Sequence, residues 1–101
     1  MRVVLAVALT LSAATAAHAA DMQRECAVQG ALIQLITDHR LDGKTEGRTE
    51  RLIKKGMTEE ARKYEGVLPD MVDYIFKMVP QEQLDGEMGK VWESQCLAAS
   101  Q

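Results

Sequence analysis

One twelve-residue stretch, 68–79, most constrains what this chain can fold into. Its apolar residues Leu68, Met71, Val72, Ile75, Phe76, Met78 and Val79 follow the i, i+3, i+4, i+7 spacing of a helix with one buried face. Pro69 suits the first helical turn, where a missing N–H leaves no bond unmade. Asp70 and Asp73 bring negative charge to the positive end of the helix dipole. Pro80 cannot continue the helix and turns Val79 toward extended angles. A helix of this kind needs apolar cover, and the other segments must provide it.

The N-terminal segment reads as a leader. Arg2 precedes an apolar run from Val3, and Ala17-His18-Ala19 has the small-x-small form of a secretory cleavage site. The run is about fifteen residues, against the roughly twenty that span a bilayer. Residues 1–19 are therefore expected to be a signal peptide and 20–101 a single helical domain. Removing 19 of 101 residues leaves 82, with 11 basic and 15 acidic residues, a net charge of −4. A secreted acidic domain with a single Trp does not suit general nucleic-acid binding. No transmembrane segment is expected after cleavage. Localisation is expected to be periplasmic.

Export decides how the cysteines are read. Cys26 and Cys96 would meet oxidising conditions, and two cysteines allow one intramolecular pairing. No C-x-x-C motif is present, so a structural bridge is favoured over redox chemistry. Closing a loop of roughly 70 residues would constrain the unfolded chain by about 4 kcal/mol, comparable with much of a small domain's net stability.

The mature chain then reads as successive helices. Asp21 is a candidate N-cap for a helix over 22–39, whose apolar residues Cys26, Ala27, Gly30, Leu32, Ile33, Leu35 and Ile36 make an unusually broad stripe. Gly30 costs helix propensity, which predicts close packing against another helix. His39 and Arg40 suit the negative end of that helix, and Asp42-Gly43 marks its stop. A short helix is expected over 46–55, ended by Gly56, with Glu50 and Lys54 paired four apart. Thr58 should cap a further segment with Glu59 paired to Lys63, running on through a break near Gly66 into 68–79. After Pro80, the residues Leu84, Met88, Val91, Trp92 and Cys96 recur at helical spacing. No strand-period alternation follows the leader.

Chemistry-bearing patterns are sparse. His39, flanked by Asp38 and Asp42, is the one histidine of the mature chain and falls short of the three or four converging ligands a metal needs. Methionines could serve copper, but Met71, Met78 and Met88 fall on apolar helix faces, where Met commonly fills gaps. No nucleophile is paired with a histidine at a recognisable spacing, and no Gly-rich phosphate loop occurs. No enzyme activity, cofactor or metal is expected. Charge is the informative feature: residues 40–63 hold 8 basic and 5 acidic side chains, and residues 64–101 hold 2 and 7. Arg48, Arg51 and Lys55 share one helical face, which can steer a partner.

Cys26 in the first helix, the apolar 68–79 helix closed by Pro80, and Trp92-x-x-x-Cys96 together resemble small secreted two-cysteine α-helical proteins of proteobacteria, a resemblance that implies a structural plan and no activity. Acid-activated periplasmic chaperones and the immunity proteins of contact-dependent secretion systems share the plan of leader, two cysteines and small helical domain. The wide Cys26–Cys96 separation departs from the chaperone pattern. The expected fold is all-α, a small four- or five-helix bundle with one disulfide joining the first and last helices. The expected role is a non-enzymatic periplasmic protein-interaction module, with Arg48, Arg51 and Lys55 as candidate partner-binding residues and another envelope protein as candidate partner. The alternatives are an acid- or stress-responsive chaperone and an immunity-type inhibitor. Oligomeric state is left open.

Overall fold

The structure, a computed structural model, describes the backbone of residues 2–100 and the side chains of residues 16–100. Four α-helices make the fold: α1 (Arg2–Leu41), α2 (Glu46–Lys55), α3 (Leu68–Asp73) and α4 (Met88–Ala99). A 3-10 segment, Glu60–Val67, leads into α3, and a π turn, Tyr74–Met78, leads out of it. No strand occurs among the described residues. The all-α bundle expected from the sequence is the observed architecture. Its long dimension, 63 Å, is close to the length of a 40-residue helix at about 1.5 Å per residue.

α1 corrects the sequence reading at its start. Asp21 was expected as an N-cap, yet it lies inside α1, because the helix runs upstream to Arg2. No glycine or proline interrupts residues 2–29, and Ala and Leu are strong helix formers. The apolar side chains 3–15 of the expected leader lie outside the described side chains. The other end stops as read. Leu41 is the last helical residue, and Gly43 takes φ +84°, the left-handed angle that a side chain would strain.

α2 folds back antiparallel on α1. Thr45 caps it, its hydroxyl accepting the Arg48 N–H at 3.2 Å, and Gly56 closes it. The expected Glu50–Lys54 pair forms at 3.0 Å. Thr58 caps the next segment by accepting the Ala61 N–H at 3.3 Å. That segment winds as a 3-10 helix, where residues three apart eclipse. Glu59 and Lys63, four apart, are thereby turned away from each other, and the expected pair does not form. Arg62 and Glu65, three apart, pair instead at 3.8 Å, and Lys63 reaches across to Glu25 of α1.

The break near Gly66 falls at Val67 (φ −102°, ψ 0°), after which α3 and the π turn run beside α1 toward its C-terminal end. Leu68, Val72, Ile75 and Val79 are buried from this stretch. Met78 is not: the wider π winding rotates it off the core face, and it is 69% exposed. The core joins these residues to Leu32, Ile33 and Ile36 of α1, Ile53 of α2, Ala61 and Leu84. Each fully buried side chain of this size contributes about 1.5–3 kcal/mol.

α4 packs antiparallel on α1 through glycines. A Cβ placed on Gly30 would stand 2.6 Å from the Gly89 carbonyl oxygen and 3.2 Å from Glu93 Cβ. One on Gly89 would strike the Gly30 carbonyl in return. The close approach predicted from Gly30 is therefore real, and backbone meets backbone. The Cys26–Cys96 disulfide (Cα–Cα 5.6 Å) ties the same two helices. Val91 was expected on the apolar face and is 47% exposed. Two residues beyond Gly89 it lies about 200° round the helix, facing out.

Candidate binding surface

The breadth of the α1 stripe has a structural consequence. Leu32, Ile33 and Ile36 are covered by the core, whereas Ala27, Ala31 and Leu35 are left exposed beside it. The turn from α2 to the 3-10 segment stands opposite them and brings Gly56, Met57 and Thr58 to the facing wall. Between the walls runs an apolar groove of about 340 Å³, at the lower end of the 300–1,000 Å³ or so typical of ligand pockets. Buried Leu32, Ile53 and Ala61 form its floor. Arg24 stands at one end, and Glu60 lines the far wall.

The three candidate partner-binding residues do not line this groove; they share the outward face of α2. Arg48, Leu52 and Gly56 follow at i, i+4, i+8 along one row of α2, and Gly56 lines the groove. Lys55 lies three residues from Leu52 and Arg51 three from Arg48, both to one side of that row. Arg48, Arg51 and Lys55 are all exposed. Among the described residues none has a carboxylate within ion-pair reach, while their neighbours Lys54, Lys63 and Lys77 are each paired. Leu52, between them, is 38% exposed. α2 thus turns Thr49 and Ile53 inward and an apolar residue flanked by three free cations outward.

The 3-10 segment and α4 are fixed to α1 by a directed chain of hydrogen bonds. Trp92 Nε1 can only donate, and it donates to Gln29 Oε1 at 3.1 Å. Gln29 Nε2 then donates to Tyr64 Oη at 3.2 Å, so the Tyr64 hydroxyl proton goes to Glu25, whose carboxylate also takes the Lys63 ammonium. Lys63 and then Tyr64 hold the Glu25 carboxyl below its ordinary range. Burial, with Glu25 in support, pushes the Tyr64 hydroxyl up. The network joins α1, the 3-10 segment and α4, and no local pattern announces it, since its partners are 35 to 63 residues apart.

Two further long-range bonds set the frame. Arg40 Nη1 donates to the carbonyls of Ile75 and of Val79, the latter at 2.8 Å, closing the end of the π turn, and its guanidinium lies 6.0 Å from the Phe76 ring centroid. It therefore caps a neighbouring helix as well as lying at the end of its own. Gln34 Oε1 accepts the Gly89 N–H at 2.8 Å, serving α4 as an N-terminal cap supplied by α1.

The remaining polar residues are dispersed. His39 is half-buried, its Nδ1 without a partner, and among the described residues no three His, Cys, Asp or Glu side chains converge. Met57, Met71 and Met88 pack against the core. Clefts of about 360 and 270 Å³ lie either side of Trp92, which meets Tyr74 edge-on at 6.0 Å. No helix among the described residues is long and apolar enough to cross a membrane. Comparison with protein-family models, curated proteins and solved structures gives no match.

Proposed function

We propose that this chain is a non-enzymatic protein-interaction module, exported by cleavage after Ala19 and working in the periplasm on another envelope protein. One observation carries the reading: three exposed cations of α2 stand without an ion-pair partner among the described residues, around exposed Leu52 on the outward face of the helix. Free cations beside apolar surface suit a partner interface, where charge sets orientation and encounter rate while apolar burial supplies affinity. An immunity-type inhibitor would be one form of such a module.

The test is a photo-crosslinking residue at position 52 of the full chain expressed in its own source. A single stoichiometric envelope partner, lost when Arg48, Arg51 and Lys55 are changed together to Glu, is the expected result. Absence of any crosslinked partner, or a partner indifferent to those charges, would reject the reading.

The chaperone alternative is supported by the Glu25 tie between α1 and the 3-10 segment, which acid would release. It requires client aggregation to be suppressed below about pH 3, where most carboxylates are protonated. A dedicated binder would leave client aggregation unchanged there.

A further inference from the structure

We infer that the disulfide is open to thiol exchange at one end only: a low-molecular-weight thiol enters the cleft beside Trp92 and is joined to Cys96, releasing Cys26. Two observations carry it, the unequal access of the two sulfurs and a cleft that ends at one of them.

Exchange at a disulfide depends on which sulfur an attacking thiolate can reach. Cys26 lies one helical turn before Gly30, on the face of α1 that α4 covers, and it is fully buried. Cys96 is half-buried and lines a cleft of about 360 Å³ together with Gln29, Trp92, Gln95, Ala99 and Ser100. Its sulfur stands at the cleft wall: Gln29 Oε1, fixed by the Trp92 N–H at 3.1 Å, is 3.8 Å from Cys96 Sγ. Cys26 is not in the lining, and neither is any charged side chain that would repel a thiolate. The cleft on the other side of Trp92 reaches neither sulfur.

The exchange balances without a further oxidant or reductant. The thiol gives its proton to solvent, and its sulfur bonds to Cys96 Sγ as the bond to Cys26 breaks. The electron pair of that bond leaves on the Cys26 sulfur, which takes up a proton. One disulfide thus replaces another. Leaving-group chemistry alone favours the opposite end, because attack at Cys26 would release the better-solvated Cys96 thiolate. Access overrides it. Reaching Cys26 requires α4 to lift off α1, where the backbones of Gly30 and Gly89 meet. Attack at Cys96 needs no such movement, and the glycine contact then holds Cys26 in place to close the ring again.

The probe is reduced glutathione, mixed with the oxidised full chain. Acid stops the exchange by protonating thiolates, free thiols are alkylated, and trypsin separates residues 25–40, carrying Cys26, from residues 91–101, carrying Cys96. Glutathione should be found on 91–101 in about tenfold excess or more, since access selects the sulfur attacked. In urea that unfolds the chain, the excess should disappear.

A second readout follows ring opening directly. Dithiothreitol attacks once and completes the reduction by its own cyclisation, so reclosure of the ring does not hide the first step. The rate should be proportional to dithiothreitol and flat in urea below the unfolding transition. Ala99→Trp fills the cleft from an exposed position and should slow the reaction about tenfold by blocking access, with Tm unchanged. Glutathione shared evenly between the two cysteines, or found mainly on Cys26, would overturn the inference. So would an excess that persists in the unfolded chain, a reduction rate that climbs from the first addition of urea, or a rate indifferent to Ala99→Trp.

Discussion

Gly30→Ala is the sharpest test of how this fold is held, because helix propensity and packing predict opposite signs. Inside a helix, alanine is better than glycine by about 1 kcal/mol, so α1 alone would gain. Cβ atoms essentially never stand within 3.0 Å of a neighbouring heavy atom, yet here the new Cβ would lie 2.6 Å from the Gly89 carbonyl. The shortfall is 0.4 Å by subtraction, and the obstacle is backbone, which no rotamer change can relieve. α4 would have to retreat, held meanwhile by Cys26–Cys96 one turn away. Overpacking of this kind costs about 1–3 kcal/mol. Weakening the Gln34–Gly89 bond adds about 1 kcal/mol. Offset by the propensity gain, the net loss is about 2 kcal/mol. For a domain of this size that lowers Tm by about 8–16 °C. Thermal and urea unfolding of the oxidised protein would read it, with Gly66→Ala and Gly86→Ala as controls, since a Cβ at either meets nothing within 4 Å. The controls should hold or gain about 0.4–1 kcal/mol. A Gly30→Ala protein as stable as the original would refute the glycine contact.

Three other perturbations probe the remaining ties. Cys26→Ser releases a loop closed over a sequence separation of 70, which should cost about 4 kcal/mol; an unchanged melting curve would remove the bridge from the list of stabilising elements. Arg40→Ala should cost about 2 kcal/mol by freeing the carbonyls of Ile75 and Val79, and amide exchange over 74–79 should quicken; exchange quickening uniformly across the chain would contradict a capping role. Lys63 and then Tyr64 hold the Glu25 carboxyl below its ordinary range, so its contribution is present above the ordinary carboxylate range and is lost as pH falls through the lower folded value. Glu25→Gln should therefore destabilise at pH 7 and matter progressively less in acid, and an equal effect at pH 7 and in strong acid would contradict the linkage.

Features set by local chemistry could be read directly from the residues. Pro69, Pro80, Gly43 and Gly56 punctuate the helices where their backbone preferences place them. Gly30 announced close packing because a mid-helix glycine has a cost that something must offset. The disulfide followed from the expectation of export and from there being two cysteines. Thr45 ahead of Glu46 carries the same kind of local signal, a cap residue followed by an acidic first turn. Winding and distant partners were not readable. The 3-10 segment 60–67 carries Tyr64 and Lys63 to Glu25, a partner 38 to 39 residues away that no local pattern names, and the exposure of Met78 depends on a π turn. Arg40 obeyed its local rule and also served a helix 35 residues on. The candidate surface was half legible: Arg48, Arg51 and Lys55 shared a face on spacing alone, whereas the groove required knowing which part of the broad α1 stripe would go uncovered.

The bridge between Cys26 and Cys96 also determines how the domain would carry a mechanical load. The residues of α1 ahead of Cys26 lie outside the covalent ring, and the ring closes in the second half of α4. Tension entering along α1 and leaving through the end of α4 passes from one sulfur to the other. The polypeptide between the two cysteines, with α2, α3 and the groove lining from Ala27 onward, bears none of it. A domain pulled at its two ends would keep its binding face intact until a covalent bond broke, whereas the reduced protein would yield by peeling α4 off the glycines of α1.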